Sequence, residues 1–85
     1  MKKPQPKIIE KKLGRHKAFG LANDETNKIH IDSRLRGKTK LATYIHEYFH
    51  ILFPDFSENR ILELESQMAE YLWKLNYRQV DNKKR

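Results

Sequence analysis

The first third of the chain has short apolar segments and turn residues that predict strands. The segment KIIEKKL, residues 7–13, fits either a strand or a helical turn, and Gly14 ends it; we favour a strand. Residues 17–32 carry two short apolar flanks around NDETN, a run dense in turn-forming residues. This second pattern predicts a β-hairpin.

The second strand of that hairpin, KIHID, alternates with a period of two. Ile29 and Ile31 fall on one face, which we expect to be buried. The other face receives the three polar residues of the segment: Lys28, His30 and Asp32. His30 is therefore expected to face solvent, and we expect the same of His16, which lies in a basic loop.

From Thr39 onward, apolar residues recur at spacings of three and four, and this period predicts a helix. Its apolar residues are Leu41, Ile45, Tyr48, Phe49 and Leu52. Because Pro54 disfavours α geometry in the residue before it, the helix should end near Phe53. Ser57 can then cap a second helix that runs to about Asn76. The apolar stripe of the second helix comprises Ile61, Leu64, Met68, Leu72 and Leu75.

Together these elements predict an α+β fold in which a β-hairpin or small sheet packs on two main α-helices. We expect residues 1–6 to form a disordered basic arm, residues 7–80 a single domain and residues 81–85 a basic tail. A chain of 85 residues buries only a small core, so its stability margin is thin and a bound metal could reinforce it.

Lys and Arg number 18 against 11 Asp and Glu, which gives a formal net charge of +7. The excess lies mainly at the two ends, at Lys2, Lys3, Lys7, Lys11, Lys12, Arg15 and Lys17 and then at Lys83, Lys84 and Arg85. Such ends can attract nucleic acid, or they can serve only as solubilising tails. The absence of cysteine excludes disulfides and thiolate ligands and fits the cytoplasm, and no apolar run is long enough to predict a membrane span.

The segment IHEYFH, residues 45–50, lies inside the first predicted helix. Side chains four residues apart lie one turn above each other, so His46 and His50 can present imidazole nitrogens to one ion. Glu47 lies about 100° further round the helix, where it can act on a water molecule without being a ligand. The pattern therefore indicates a zinc site just beside the apolar arc of the helix; the alternative is a pair of ordinary helix histidines.

A catalytic zinc site needs a third protein ligand. Glu58 and Glu65 lie on the same side of the second helix as its apolar stripe, whereas Glu63 projects outward. Glu65 would be a carboxylate amid apolar residues, which is costly unless the carboxylate is paired or metal-bound. Glu58 lies closest in sequence to His50. Helical geometry leaves both candidates open.

Three segments within residues 18–80 resemble the gluzincin branch of the zincin metallopeptidases: KIHIDSRLRGK, LATYIHEYFHILFPDFSENRI and LWKLNYR. They are similar to the smallest members, short and often phage-encoded HExxH proteins distantly related to SprT-like and ImmA-type peptidases. The resemblance implies a minimal zincin-like domain with Zn²⁺ on His46, His50 and Glu58, because Phe-Pro, a turn and a glutamate follow the second histidine. Glu65 is the reserve third ligand. The resemblance also implies that KIHID lies along the cleft as an edge strand able to hold an extended peptide.

The function implied by the resemblance is a zinc-dependent peptidase of the cytoplasm, or of the host cytoplasm if the chain is phage-encoded. Glu47 would accept the proton of the attacking water and deliver it to the leaving amine of a peptide or protein substrate. Donors that could stabilise the tetrahedral oxyanion are Tyr44, Tyr71, Tyr77 and Arg78.

Two further hypotheses compete with the peptidase. In one, the metal is structural and the chain is a binding module that holds nucleic acid through its basic ends. In the other, activity requires a partner protein that docks on the second helix near Trp73 and Tyr77, although Trp73 could instead close the small core. The sequence leaves the oligomeric state open.

Overall fold

The computed structural model describes residues 4–14 and 19–80 and has an α+β fold, which confirms the predicted class. The elements are β1 (Lys7–Lys11), β2 (Gly20–Asn23), β3 (Lys28–Asp32), α1 (Gly37–Leu52) and α2 (Glu58–Lys74). The predictions for His16, for most of the basic ends and for the tail at 81–85 lie outside the described residues.

The three strands form a mixed sheet in the order β1-β3-β2. β2 and β3 pair antiparallel, with Gly20 opposite Ile31, and thus form the predicted hairpin. In its turn, the side-chain oxygen of Asn23 accepts hydrogen bonds from the backbone N–H groups of Glu25 and Thr26, at 2.9 and 3.1 Å. β1 pairs with the other edge of β3 in parallel, so β3 is the central strand.

Residues 4–6, the described part of the predicted arm, contain no helix or strand. The Asn27 side-chain amide donates a hydrogen bond of 2.9 Å to the Pro4 carbonyl. Asn27 itself has a φ of 57° and closes the hairpin turn, and its carbonyl accepts a hydrogen bond from the Lys7 N–H at 3.0 Å. The start of β1 is thus fixed to the hairpin turn.

The core lies between β3 and α1. Ile29 and Ile31 are buried, as predicted, and pack with the buried Ile51 of α1. Partly buried residues surround this cluster: Ala22, Leu35, Tyr44 and Tyr48. Because strands flank β3 on both sides, His30 is half-buried, and the prediction that it faces solvent was only partly right.

Asp32 was predicted on the polar face of β3 but is buried, with 6% of its surface exposed. Its carboxylate accepts hydrogen bonds from Nε and Nη2 of Arg34, at 2.9 and 2.7 Å, and from the Arg34 backbone N–H. A second bond from Arg34 Nη2 reaches the Leu13 carbonyl at 3.0 Å. These bonds offset the cost of burial, and Arg34 holds the pKa of Asp32 well below its usual range.

The two helices begin and end close to the predicted positions. α1 starts at Gly37 instead of Thr39 and ends where Phe53, the residue before the proline, donates its N–H to the Phe49 carbonyl at 2.8 Å. Ser57 caps α2 as predicted, because its hydroxyl accepts the Arg60 N–H at 3.1 Å.

The buried faces of both helices are rotated from the predicted apolar stripes. In α1 the buried residues are Thr43, Glu47 and Ile51, and Leu52 is 44% exposed. In α2 they are Ile61 and Ala69, with Glu65 half-buried between them. The prediction that Met68 and Leu75 lie on the packed stripe is wrong, because this rotation leaves them 43% and 51% exposed. α1 packs against β2 and β3 on one side and α2 on another, and the rotated faces bring glutamates into both contacts.

Candidate metal centre

His46 and His50 lie one turn apart on α1, on the side that α2 covers. Their Nε2 atoms are 3.2 Å apart, and their ring planes meet edge to face with centroids separated by 4.9 Å. The spacing of four residues thus directs the same nitrogen of both rings to one point.

Glu58 brings a carboxylate to that point. Its Oε1 lies 2.9 Å from Nε2 of His50 and its Oε2 lies 3.0 Å from Nε2 of His46. Glu58 reaches this position because it opens α2 immediately after the turn and the Ser57 cap. The structure therefore brings together the three residues that the resemblance implied as metal ligands, and their ligand atoms lie within 4.8 Å of one another.

Glu65 occupies the other side of the same histidine. Its Oε1 lies 2.6 Å from Nδ1 of His46, and its side chain is only 19% exposed. In a neutral imidazole whose Nδ1 donates to this carboxylate, the Nε2 lone pair of His46 points into the cluster. The two glutamates that the sequence left open therefore differ in position: Glu58 shares the convergence point, and Glu65 contacts the other ring nitrogen of His46.

The cluster fits the requirements of zinc. Imidazole nitrogens bound to a tetrahedral zinc ion at 2.0–2.1 Å lie about 3.3 Å apart, and those of His46 and His50 are separated by 3.2 Å. Two neutral imidazoles and one carboxylate form a donor set that zinc accepts. Three protein ligands on a tetrahedral zinc ion leave one coordination position open.

Glu47 lies beside the cluster, buried between α1 and β2 with 7% of its surface exposed. Burial raises the pKa of its carboxyl above the ordinary value, partly opposed by the nearby His46 and His50. This carboxylate lines the cleft together with His46, His50 and Glu58.

Gly20 makes room for Glu47. A Cβ atom at this position would lie 3.0 Å from Cγ of Glu47, 3.1 Å from its Oε2 and 3.0 Å from the carbonyl oxygen of His30. Any other residue would require β2 or the carboxylate to shift, so the close approach favours glycine at this position. Gly20 was not predicted as a site residue, although a glycine within a strand is a recognised signal of close backbone approach.

A cleft of about 470 Å³ lies over Glu47, and β2 forms its other wall. Its lining residues are Gly20, Leu21, Ala22, Asp24, His46, Glu47, His50, Pro54 and Glu58. The expectation that KIHID lies along the cleft as an edge strand is wrong, because β3 is paired on both sides. The strand that borders the cleft is β2, whose only partner in the sheet of the described residues is β3.

The four residues named as oxyanion donors do not line this cleft. Tyr44, Tyr77 and Arg78 line a different groove, and Tyr71 is 63% exposed on α2. Tyr44 points away because its hydroxyl donates to the Glu10 carboxylate of β1. Burial and this carboxylate raise the pKa of Tyr44 to about 12.

No family model, curated protein or solved structure matches the chain. Among the described residues, neither helix is long and apolar enough to cross a bilayer.

Proposed function

We propose that the chain is a zinc-dependent peptidase whose metal is held by His46, His50 and Glu58. The observation that carries this proposal is the convergence of three ligand atoms directly beside a buried glutamate that faces the same cleft. The resemblance of IHEYFH and the following Phe-Pro turn to small zincins supports the same assignment.

A bound zinc ion supplies Lewis acidity, which polarises the scissile carbonyl and lowers the pKa of water towards about 7. Glu47 accepts the proton of the attacking water and transfers it to the leaving amine. Its burial supports this role, since a carboxyl whose pKa is raised holds a proton more readily than an exposed one. Glu65 keeps the proton of His46 on Nδ1 and fixes the orientation of that ring.

The substrate class that fits this cleft is an extended peptide segment of a protein. β2 presents main-chain N–H and C=O groups at the sheet edge beside Glu47, and a peptide can pair with such an edge. We place the enzyme in the cytoplasm, or in the host cytoplasm if the chain is phage-encoded, because its cysteine-free composition suits a reducing compartment.

The competing function is a binding module with a structural metal. The ligands come from both helices, so a metal would join α1 to α2 and stabilise the fold in either case. A structural site has no need of Glu47, a buried residue whose side chain lines the cleft beside the ligands. The position of Glu47 is therefore what favours the peptidase.

Substitution of Glu47 by glutamine tests the proposal. We expect Glu47→Gln to retain stoichiometric zinc by elemental analysis and to lose about 10²–10⁴-fold in the rate of peptide hydrolysis, measured with a library of fluorogenic peptides. Glu63→Gln, at an exposed glutamate of α2, is the matched control and should keep the wild-type rate. A zinc-loaded Glu47→Gln variant with the full rate would refute the assigned base. A wild-type protein that binds stoichiometric zinc but cleaves no peptide would favour the structural metal.

A further inference from the structure

A second and larger groove, of about 900 Å³, lies on a different face of α1. It is bounded by the N-terminal half of α1, the end of α2 and the segment that follows α2. Its principal polar and aromatic lining residues are Glu10, Arg36, Lys40, Trp73, Tyr77 and Arg78. The peptidase proposed above uses none of these residues.

The groove carries an excess of positive charge. Arg36, Lys40 and Arg78 face it, whereas Glu10 is the one carboxylate among its described lining residues. Glu10 is already engaged, since it accepts the Tyr44 hydroxyl and lies 3.2 Å from Nζ of Lys40. The two arginines are therefore left to interact with an anionic ligand.

The arginines are held in place by the backbone. Nη1 of Arg36 donates to the carbonyls of Ser33 and Leu35, at 3.0 and 2.8 Å, and Nη1 of Arg78 donates to the Trp73 carbonyl at 3.0 Å. Each bond uses one nitrogen of a guanidinium that has five N–H donors, so both side chains keep donors for a ligand. Fixed arginines lose less conformational entropy when they bind an anion.

Flat rings lie beside these cations. The Arg78 guanidinium carbon lies 3.3 Å from the centroid of the Trp73 ring, so the two planar groups are in contact. Tyr77, which also lines the groove, is 63% exposed. A groove that combines cations able to bind a phosphate backbone with exposed aromatic rings has the chemistry of a site on which nucleic-acid bases stack.

We propose that this groove binds single-stranded nucleic acid, with the phosphates on the arginines and a base stacked on Tyr77. A duplex would not use the exposed ring, because its bases are already stacked within the helix. An acidic peptide would be attracted by the charge alone and gains little from a flat aromatic surface. The site is independent of the proposed peptidase activity, and it lies within the folded domain, not at the basic ends of the chain.

Trp73 is the single tryptophan of the chain, so its fluorescence reports directly on this groove. We expect a twelve-residue oligothymidylate to quench the fluorescence of the full chain, with an affinity that falls steeply between 50 and 200 mM salt. In fluorescence anisotropy with the labelled oligonucleotide, Tyr77→Ala should bind at least about fivefold more weakly, because the stacking surface is lost. Tyr77→Phe should restore the affinity.

Tyr71 provides a matched control, because it is equally exposed at 63% but does not line the groove. Tyr71→Ala should bind the oligonucleotide within about twofold of wild type. Far-UV circular dichroism of all three variants should match the wild type, since both tyrosines are exposed. Equal losses in Tyr77→Ala and Tyr71→Ala, or an unchanged affinity in Tyr77→Ala, would overturn the proposal. Equal quenching by an oligoglutamate of the same length would also overturn it, because it would identify a general polyanion surface.

Discussion

The cleft and the groove lie on different faces of one helix, and their chemistry is opposite. The cleft gathers His46 and His50 with the carboxylates of Glu47 and Glu58, and Glu65 contacts His46 from the other side of its ring. The groove gathers cations and aromatic rings around one carboxylate that is already paired. α1 contributes to both regions: His46, Glu47 and His50 line the cleft, whereas Lys40, Leu41 and Tyr44 line the groove. One helix of a small domain thus carries two surfaces of unlike chemistry.

The substitution with the largest expected effect is Ile61→Ala, which disturbs both regions at once. Ile61 is fully buried on α2, the helix that contributes Glu58 to the cleft and Trp73 to the groove. Ile61→Ala should lower the free energy of unfolding by about 2–5 kcal/mol, because it leaves a cavity where α2 packs. Urea unfolding measures this loss. Leu62→Ala, at the neighbouring residue that is 45% exposed, is the control, and a loss as large as that of Ile61→Ala would contradict the packing described for α2.

The second effect distinguishes the two glutamates that contact the histidines, Glu58 and Glu65. Glu65→Ala should weaken zinc binding by about 10–100-fold, because it removes the partner of His46 Nδ1 but no ligand. Glu58→Ala should weaken it further, since it removes one of the three converging ligand atoms. Competition with a chromophoric chelator measures both affinities. The reverse order would make Glu65 the third ligand, and oligonucleotide binding should stay at the wild-type level in both variants.

A third substitution alters the cleft wall alone. Gly20→Ala places a Cβ atom 3.0 Å from Cγ of Glu47, so either the strand or the carboxylate has to move. We expect peptide hydrolysis to fall by roughly tenfold, because displacement of a catalytic group by a fraction of an ångström is costly. Zinc content and binding to the groove should not change. Ile8→Ala, at an exposed residue of β1 that does not line the cleft, is the control and should keep the wild-type rate. Unchanged hydrolysis in Gly20→Ala would show that β2 shifts without disturbing Glu47.

The smallest effect concerns the scaffold that both regions share. Because Arg34 lowers the pKa of Asp32, this carboxylate stabilises the fold above its unfolded pKa of about 3.9, and the contribution is lost as the pH falls through the lower folded value. Asp32→Asn should therefore be less stable than wild type at pH 7, with a difference that shrinks below about pH 4. Urea unfolding at pH 7, 5 and 3 measures it. A difference that grows on acidification would contradict the assigned direction of the pKa shift.

Much of the fold follows from local sequence. The turn residues of NDETN, the proline after α1 and the serine before α2 act on their immediate neighbours, and the structure has the turn, the helix end and the cap where these residues predicted them. The parallel pairing of β1 with β3 could not be predicted in the same way, because it joins segments that are distant in the chain.

The rotation of the helices shows where periodicity fails. The apolar stripes predicted Leu52 and Met68 as packed residues, but the buried lines pass through Glu47 and along Glu65. Hydrophobic periodicity assigns a glutamate to the solvent-facing side of a helix. It therefore cannot predict a buried face that has a glutamate at its centre. The convergence of the two histidines could be predicted because a spacing of four places both on one side of a helix. The contact of Glu65 with His46 could not be predicted, because it depends on how α2 is rotated against α1.

The central position of β3 has a consequence for the order in which the chain assembles. The β2–β3 hairpin needs only contacts between neighbours, whereas β1 must wait for the hairpin to offer it a finished edge. β1 is also the strand whose Glu10 meets Lys40 and Tyr44 of α1, so its late arrival would close one side of the domain. Amide hydrogens of β1 should accordingly exchange with deuterium before those of β3, and a detached β1 would open the groove while leaving the hairpin and its cleft intact.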